Sequence, residues 1–168
     1  SCHVGTAMMR ERHLLRAMSH PAVVGAVALL IVNDHLLKAA WPSWISGKLS
    51  DVAGLIFFPI LVSALVELAT RGRLNTRGTL ALTIAMTAVL FAGLQLSSSV
   101  GTAYQLVMGL LQWPFRVIAD PAAQLAGVQV TPDPTDLLAL PALMIAWRIG
   151  TVSERANKTI AAELELVS

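Results

Sequence analysis

Long apolar runs alternate with short polar links along the chain, and the runs are of helical rather than strand length. The first opens at Pro21, a good helix-start residue, and is apolar for the eleven residues from Ala22 to Val32. At 1.5 Å per residue such a run covers only about 17 Å of the roughly 30 Å of bilayer hydrocarbon. A spanning helix must therefore continue through Asn33, Asp34, His35 and Lys38 to about Ala40, and no turn residue intervenes to stop it. The second run is predicted from Val52 to about Thr70, opened by Ser50-Asp51 as an N-cap and a first-turn acid, and it contains Pro59. The third has no charge between Gly78 and Phe115, and its spanning part is Thr79 to Leu96. The fourth starts at Thr135-Asp136, holds Pro141 and reaches about Thr151, so that Arg148 must snorkel to the interface.

Between the third and fourth runs, GTAYQLVMGLLQWPFRVIAD (101–120) is uncharged up to Arg116 and carries Tyr104, Trp113 and Phe115. It reads as a helix lying in the outer interface or re-entering from that side. A fifth span at this place would invert the fourth and break the distribution of basic residues described next. The expected fold is thus all-α. It is a polytopic integral membrane protein with four transmembrane helices (about 21–40, 52–70, 79–96 and 135–151) and an outer interfacial or re-entrant helix at 101–120. Residues 1–20 and 152–168 form a cytoplasmic N-terminal segment and a cytoplasmic tail, the latter a short exposed helix or disorder.

Composition strengthens the membrane reading. Hydrophobic residues make up 55% of the 168 and charged residues only 13%, against about a quarter charged in soluble domains; the mean hydropathy is +0.68. The small net charge of +2 conceals an asymmetry. Arg10, Arg12 and Arg16 precede the first span, Arg71, Arg73 and Arg77 link the second to the third, and Arg148, Arg155 and Lys158 close the fourth. Lys38, Lys48 and Arg116 fall on the other side, so both termini are expected in the cytoplasm, with the plasma (bacterial inner) membrane as the site. Trp41, Trp44 and Trp113 then sit at the outer boundary and Trp147 at the inner one, as an aromatic belt requires. A signal peptide is the rival reading of the first run, but no small-residue cleavage site follows it. The lone Cys2 excludes an internal disulfide and any multi-cysteine metal site, and Met8 or Met9 is an alternative start.

The acids divide by side. Asp34, Asp51, Asp120, Asp133 and Asp136 all fall outside, whereas Glu11, Glu67, Glu154, Glu163 and Glu165 all fall inside. Aspartate is short, caps helices and holds cations with little freedom, whereas glutamate suits exposed helix faces. Asn33 and Gln95 fall in the outer parts of their helices, and Asp34 and Lys38 share a helix face in the favourable acid-before-base order. These residues predict an outward-opening polar pocket lined by Asn33, Asp34, His35, Lys38, Lys48, Asp51, Gln95 and Asp136. Each has a plainer reading as well. Asp51 and Asp136 are in capping positions, Asp34 with Lys38 would make a structural pair, and His35 is an interfacial hydrogen-bonding group. His3, His13 and His20 read as cytoplasmic surface groups, and Asp133 and Asp120 as turn residues beside prolines. SDVAGLI (50–56) and TDLLALP (135–141) hint at an internal repeat that would place Asp51 and Asp136 equivalently. The D-x-x-D-L-x-A pattern at 133–139 resembles a seven-residue stretch of VanZ-like membrane proteins, too short a match to imply a fold or an activity.

No phosphate-binding glycine loop, zinc-protease motif or nucleophile elbow appears, and no long basic face is present, so neither nucleotide nor nucleic acid is an expected partner. Three functions remain. The first is a membrane protein whose outer pocket binds or passes a cation, a proton or a small polar solute, because intramembrane Asp34 and short, Pro-interrupted spans mark binding sites. The second is a non-catalytic membrane subunit that meets a second copy or a membrane protein partner through 101–120. The third is an outward-facing, metal-assisted enzyme acting on lipid or cell-wall intermediates, with a divalent cation on Asp34, Asp51 and Asp136 and His35 as general base. Apart from that cation, no cofactor is indicated. The bilayer itself is a partner under every reading.

Overall fold

The structure, a computed structural model, describes residues 13–33, 44–120 and 131–167. Among them it is helical, with turns and no strand. The elements are α1 (His13–Met18), α2 (Pro21–Val32), α3 (Trp44–Ala69), α4 (Thr76–Leu96), α5 (Ser98–Ala119), a 3₁₀ segment (Pro134–Ala139) and α6 (Ala142–Val167). Two compact units are present. One comprises the described residues up to Ala88 together with those from Ala139 onward; the other is Val89–Leu138.

In the first unit α3 is the central helix, packed against α1, α2 and α6. Its end is written in its last turn. Arg71 takes a left-handed φ of 52° and Gly72 one of 69°. Gly72 N–H then donates to the Glu67 carbonyl at 2.9 Å and Arg71 N–H to the Leu68 carbonyl at 3.2 Å, the paired bonds of a Schellman motif. Asn75 opens α4 by accepting from Arg77 N–H with its side-chain oxygen at 3.1 Å. Before α2, His20 is extended, as a residue preceding proline prefers, and its Nδ1 accepts from Ala22 N–H at 3.2 Å. His20 is therefore the cap that starts α2 and not simply a surface group.

The basic segment before α2 contributes to the core. Leu14 and Ala17, one turn apart on α1, are fully buried. Ala17 packs with Val23, Ile60, Ala146 and Ile149, and Leu14 with Ala64 and Leu80. Antiparallel α4 and α6 meet through the buried Leu80 side chain, which occupies the space that a Cβ on Gly150 would take.

Three helices are long and apolar enough to cross a membrane: Gly47–Ala69, Thr76–Leu96 and Pro134–Ala156, the last including the 3₁₀ segment. Their polarity is inverted relative to a soluble bundle. On α4, Leu82, Met86 and Val89 form an exposed apolar stripe while Thr83 and Thr87 are buried. On α3, Phe58, Leu65 and Leu68 are exposed while Ser63 and Glu67 are buried. Water would penalise such a surface, whereas a bilayer matches it, because lipid tails are as apolar as leucine.

Several expected boundaries shift. α3 already runs at Trp44, so Ser50 and Asp51 lie inside the helix and do not cap it. Nothing from Trp44 onward breaks the helix before Ala69. Pro59 is accommodated within α3, and Ser63 Oγ donates back to its carbonyl at 2.7 Å. The fourth run does not form a single α-helix from Thr135. A 3₁₀ segment ends at Ala139, and α6 begins after Pro141, which has no N–H to give and whose ring crowds the preceding turn. Beyond Thr151 the chain neither frays nor turns, and α6 continues to Val167. The short apolar helix α2 keeps helical dihedrals at Asn33, whose N–H donates to the Leu29 and Leu30 carbonyls. Its expected extension to Ala40 lies outside the described residues.

Candidate functional site

Of the eight residues expected to line an outer pocket, Asp34, His35 and Lys38 lie outside the described residues. Asn33, at the end of α2, is completely buried. Lys48 and Asp51 sit one turn apart on α3, both half-buried. These three belong to the first unit, and Gln95 and Asp136 to the second.

Gln95 and Asp136 do come together. Gln95 is buried in the last turn of α4, and its amide is used at both ends. Nε2 donates to Asp136 Oδ2 at 3.1 Å, and Oε1 accepts from Asp133 N–H at 3.0 Å. Asp133 in turn caps the 3₁₀ segment, its Oδ1 accepting from Thr135 N–H at 2.9 Å and from Thr135 Oγ1 at 2.7 Å. The cap expected of Thr135 and Asp136 is thus supplied two residues earlier. Pro132 and Pro134 hold the backbone either side of Asp133, and a short carboxylate there reaches the first N–H groups of the next turn. The set is closed: each polar atom of Gln95 fixes the loop before α6.

The second unit also contains α5, joined to α4 through Ser97 alone. Ser97 is extended and caps α5 by accepting from Val100 N–H at 3.4 Å. Gly93 faces Val100 across the corner, where a Cβ would sit 3.3 Å from Val100 Cγ1. On α5 the small and polar positions share one face. Gly101 and Gly109 are buried on it, Gln105 is half-buried, and Arg116 donates to Gln112 Oε1 at 3.1 Å. The opposite face is apolar and outward, with Leu106, Val107, Leu110, Leu111, Trp113, Phe115 (74% exposed) and Ile118 (82%). The helix expected at 101–120 is therefore found over Ser98–Ala119.

Two buried acids that the sequence reading assigned to exposed helix faces prove to be central. Glu67, 5% exposed, accepts from Leu14 N–H at 2.8 Å and so fastens the start of α1 to the end of α3. Glu154, also within the core of the first unit, pairs through Oε2 with Arg77 Nε at 2.8 Å. Arg77 itself is half-exposed, so the pair joins the first turn of α4 to α6 at the edge of solvent. A signal for Glu67 was present: it lies in LVSALVELAT, inside an apolar run, where an ionisable group faces inward and finds a partner. Between α3 and α4 the buried hydroxyls of Ser63 and Thr83 meet, and Thr87 Oγ1 donates to the Thr83 carbonyl at 2.7 Å. Ser63 and Thr83 also reach the Pro59 and Leu80 carbonyls. With one proton each, they supply the bridge and one of the two carbonyls at a time.

Among the described residues no three histidine, cysteine, aspartate or glutamate side chains gather as a metal site. Asp51 and Asp136, two of the three carboxylates considered for a divalent cation, fall in different units, and Asp34 is outside the described residues. Comparison with protein-family models, with curated proteins and with solved structures finds no match to this chain.

Proposed function

We propose that the chain is a small polytopic membrane protein acting as a non-catalytic subunit, with the apolar face of α5 as its contact surface for a second copy or a membrane-embedded partner. The observation that carries this reading is a contrast in satisfaction. The described buried groups Gln95, Glu67, Glu154, Ser63 and Thr83 are engaged with one another or with backbone, whereas the outward face of α5 is continuous and apolar. Polar groups used in this way are structural glue between helices. The proposed topology has four spans, α2 extending through Asp34, His35 and Lys38, with both termini on the cytoplasmic side of the plasma membrane. It follows from the arginine distribution.

Asn33 favours a second reading, an outward pocket for a cation, proton or small polar solute. An amide buried at the last described turn of α2 stands immediately before Asp34 and His35 in sequence. The metal-assisted enzyme has no comparable observation behind it.

Two variants separate the readings. Leu111→Ser with Phe115→Ser should shift the purified protein to a smaller assembly in detergent, read by light scattering, while Asp34→Asn should leave the assembly and any cation-dependent stabilisation unchanged. The reverse pattern would favour the pocket: an unaltered assembly in the α5 variant, and loss in Asp34→Asn of a selective cation effect on the unfolding temperature.

A further inference from the structure

Antiparallel α4 and α6 meet through side chains at three levels: Arg77 meets Glu154, Leu80 faces Gly150, and Ile84 lies with Leu143 and Trp147. At the third level a groove of about 260 Å³ is lined by Ile84, Leu143, Met144, Trp147 and Arg148. The groove surface is wholly apolar, so Arg148 contributes its aliphatic stem and carries its guanidinium beyond the groove. Arg148 lies within a candidate span and is exposed, and among the described residues no acid pairs with it. Glu154, on the same helix, is engaged by Arg77.

We infer that this groove holds an acyl chain of an anionic phospholipid, with Arg148 on the headgroup phosphate. The inference rests on the membrane reading and not on the assembly role of α5. Charge and shape agree on one occupant. The groove, narrow and apolar, takes a segment of one chain while the rest lies in the bilayer. Trp147 is half-exposed beside the cation, as a belt residue at the level of lipid headgroups is. A guanidinium holds phosphate by two parallel hydrogen bonds, which also ends its isolation in the membrane.

The test is native mass spectrometry of the full chain in neutral detergent, with dioleoyl phosphatidylglycerol and dioleoyl phosphatidylcholine competing at equal concentration. Alkaline carbonate extraction of the source membranes first establishes that the protein is integral, so failure of the membrane reading is recognised separately. Wild type should retain the anionic lipid about tenfold more, the equivalent of one charge-assisted contact. Arg148→Gln should abolish that preference, and Arg148→Lys should keep part of it. Met144→Trp, at an exposed position, should lower retention of both lipids with the charge intact. Arg73→Gln, on a separate hollow at the α3–α4 turn, should change nothing. Equal retention of the two lipids by wild type would overturn the inference. So would a preference that survives Arg148→Gln or disappears in Arg73→Gln, or displacement of the lipid by glycerol phosphate alone.

Discussion

Two groups of acids organise this molecule, and they differ in what surrounds them. Asp133 and Asp136 sit in a proline-flanked loop of the second unit, short and close to the backbone, and Gln95 ties them together. Glu67 and Glu154 sit inside long helices of the first unit, are nearly inaccessible, and reach across to other helices. The aspartates shape a local turn. The glutamates join elements more than fifty residues apart in sequence. Side-chain length explains part of this division, because aspartate bonds most readily with nearby backbone whereas glutamate extends past its own helix. Burial explains the rest. A carboxylate surrounded by apolar helix must be paired, and removing its partner costs more than the same change in a loop.

That difference can be broken by mutation. Glu67→Ala should have the largest effect, destabilising by about 3 kcal/mol, the upper end for a buried donor left without an acceptor. Reversible unfolding in mixed micelles would measure it, and Glu67→Gln, which keeps an acceptor, should recover most of the loss. If Glu67→Ala proved no worse than a loop variant, the division between the two groups would fail. Gly150→Val comes next, at about 2 kcal/mol, as overpacking displaces the buried Leu80 side chain. It should also loosen Arg77 from Glu154, seen as a loss of the stability increment that Arg77 confers in a double-mutant cycle.

Gln95→Ala should cost about 1 kcal/mol, the usual net worth of a hydrogen bond. Its effect should be confined to faster amide hydrogen exchange at residues 131–139, leaving α1 and α3 protected. Spread of that effect to α1 would mean that the two groups are not independent. The smallest change sharpens the comparison in the opposite direction. Arg71→Gly should stabilise by about 0.5 kcal/mol, as the relief of a left-handed residue at the end of the Glu67 helix exceeds the added entropy of the unfolded chain. Thermal unfolding of the purified protein would detect it.

The chain itself determined that the fold is helical and where the apolar helices lie. Composition and run length account for the three candidate spans and the amphipathic helix at Ser98–Ala119, and proline geometry for the start of α2 at Pro21, because each reflects local chemistry; the break at Pro141, inside the expected fourth span, was settled by the structure. Gln95 and Asp136 were both expected near the outer helix ends, and the hydrogen bond between them is a contact that the structure adds. Other features were settled only by the tertiary structure. Nothing local shows that Leu14 and Ala17 of a basic segment are core residues, that Gly150 lies against the Leu80 side chain, or that Arg77 lies opposite Glu154. Each depends on which helix packs against which, and on how many residues separate their ends. The reach of a glutamate from one helix to the next is likewise a property of distance in space, which sequence spacing does not encode; hence the inward aspect of Glu67 could be read from its apolar flanks, but its partner, the Leu14 amide, could not.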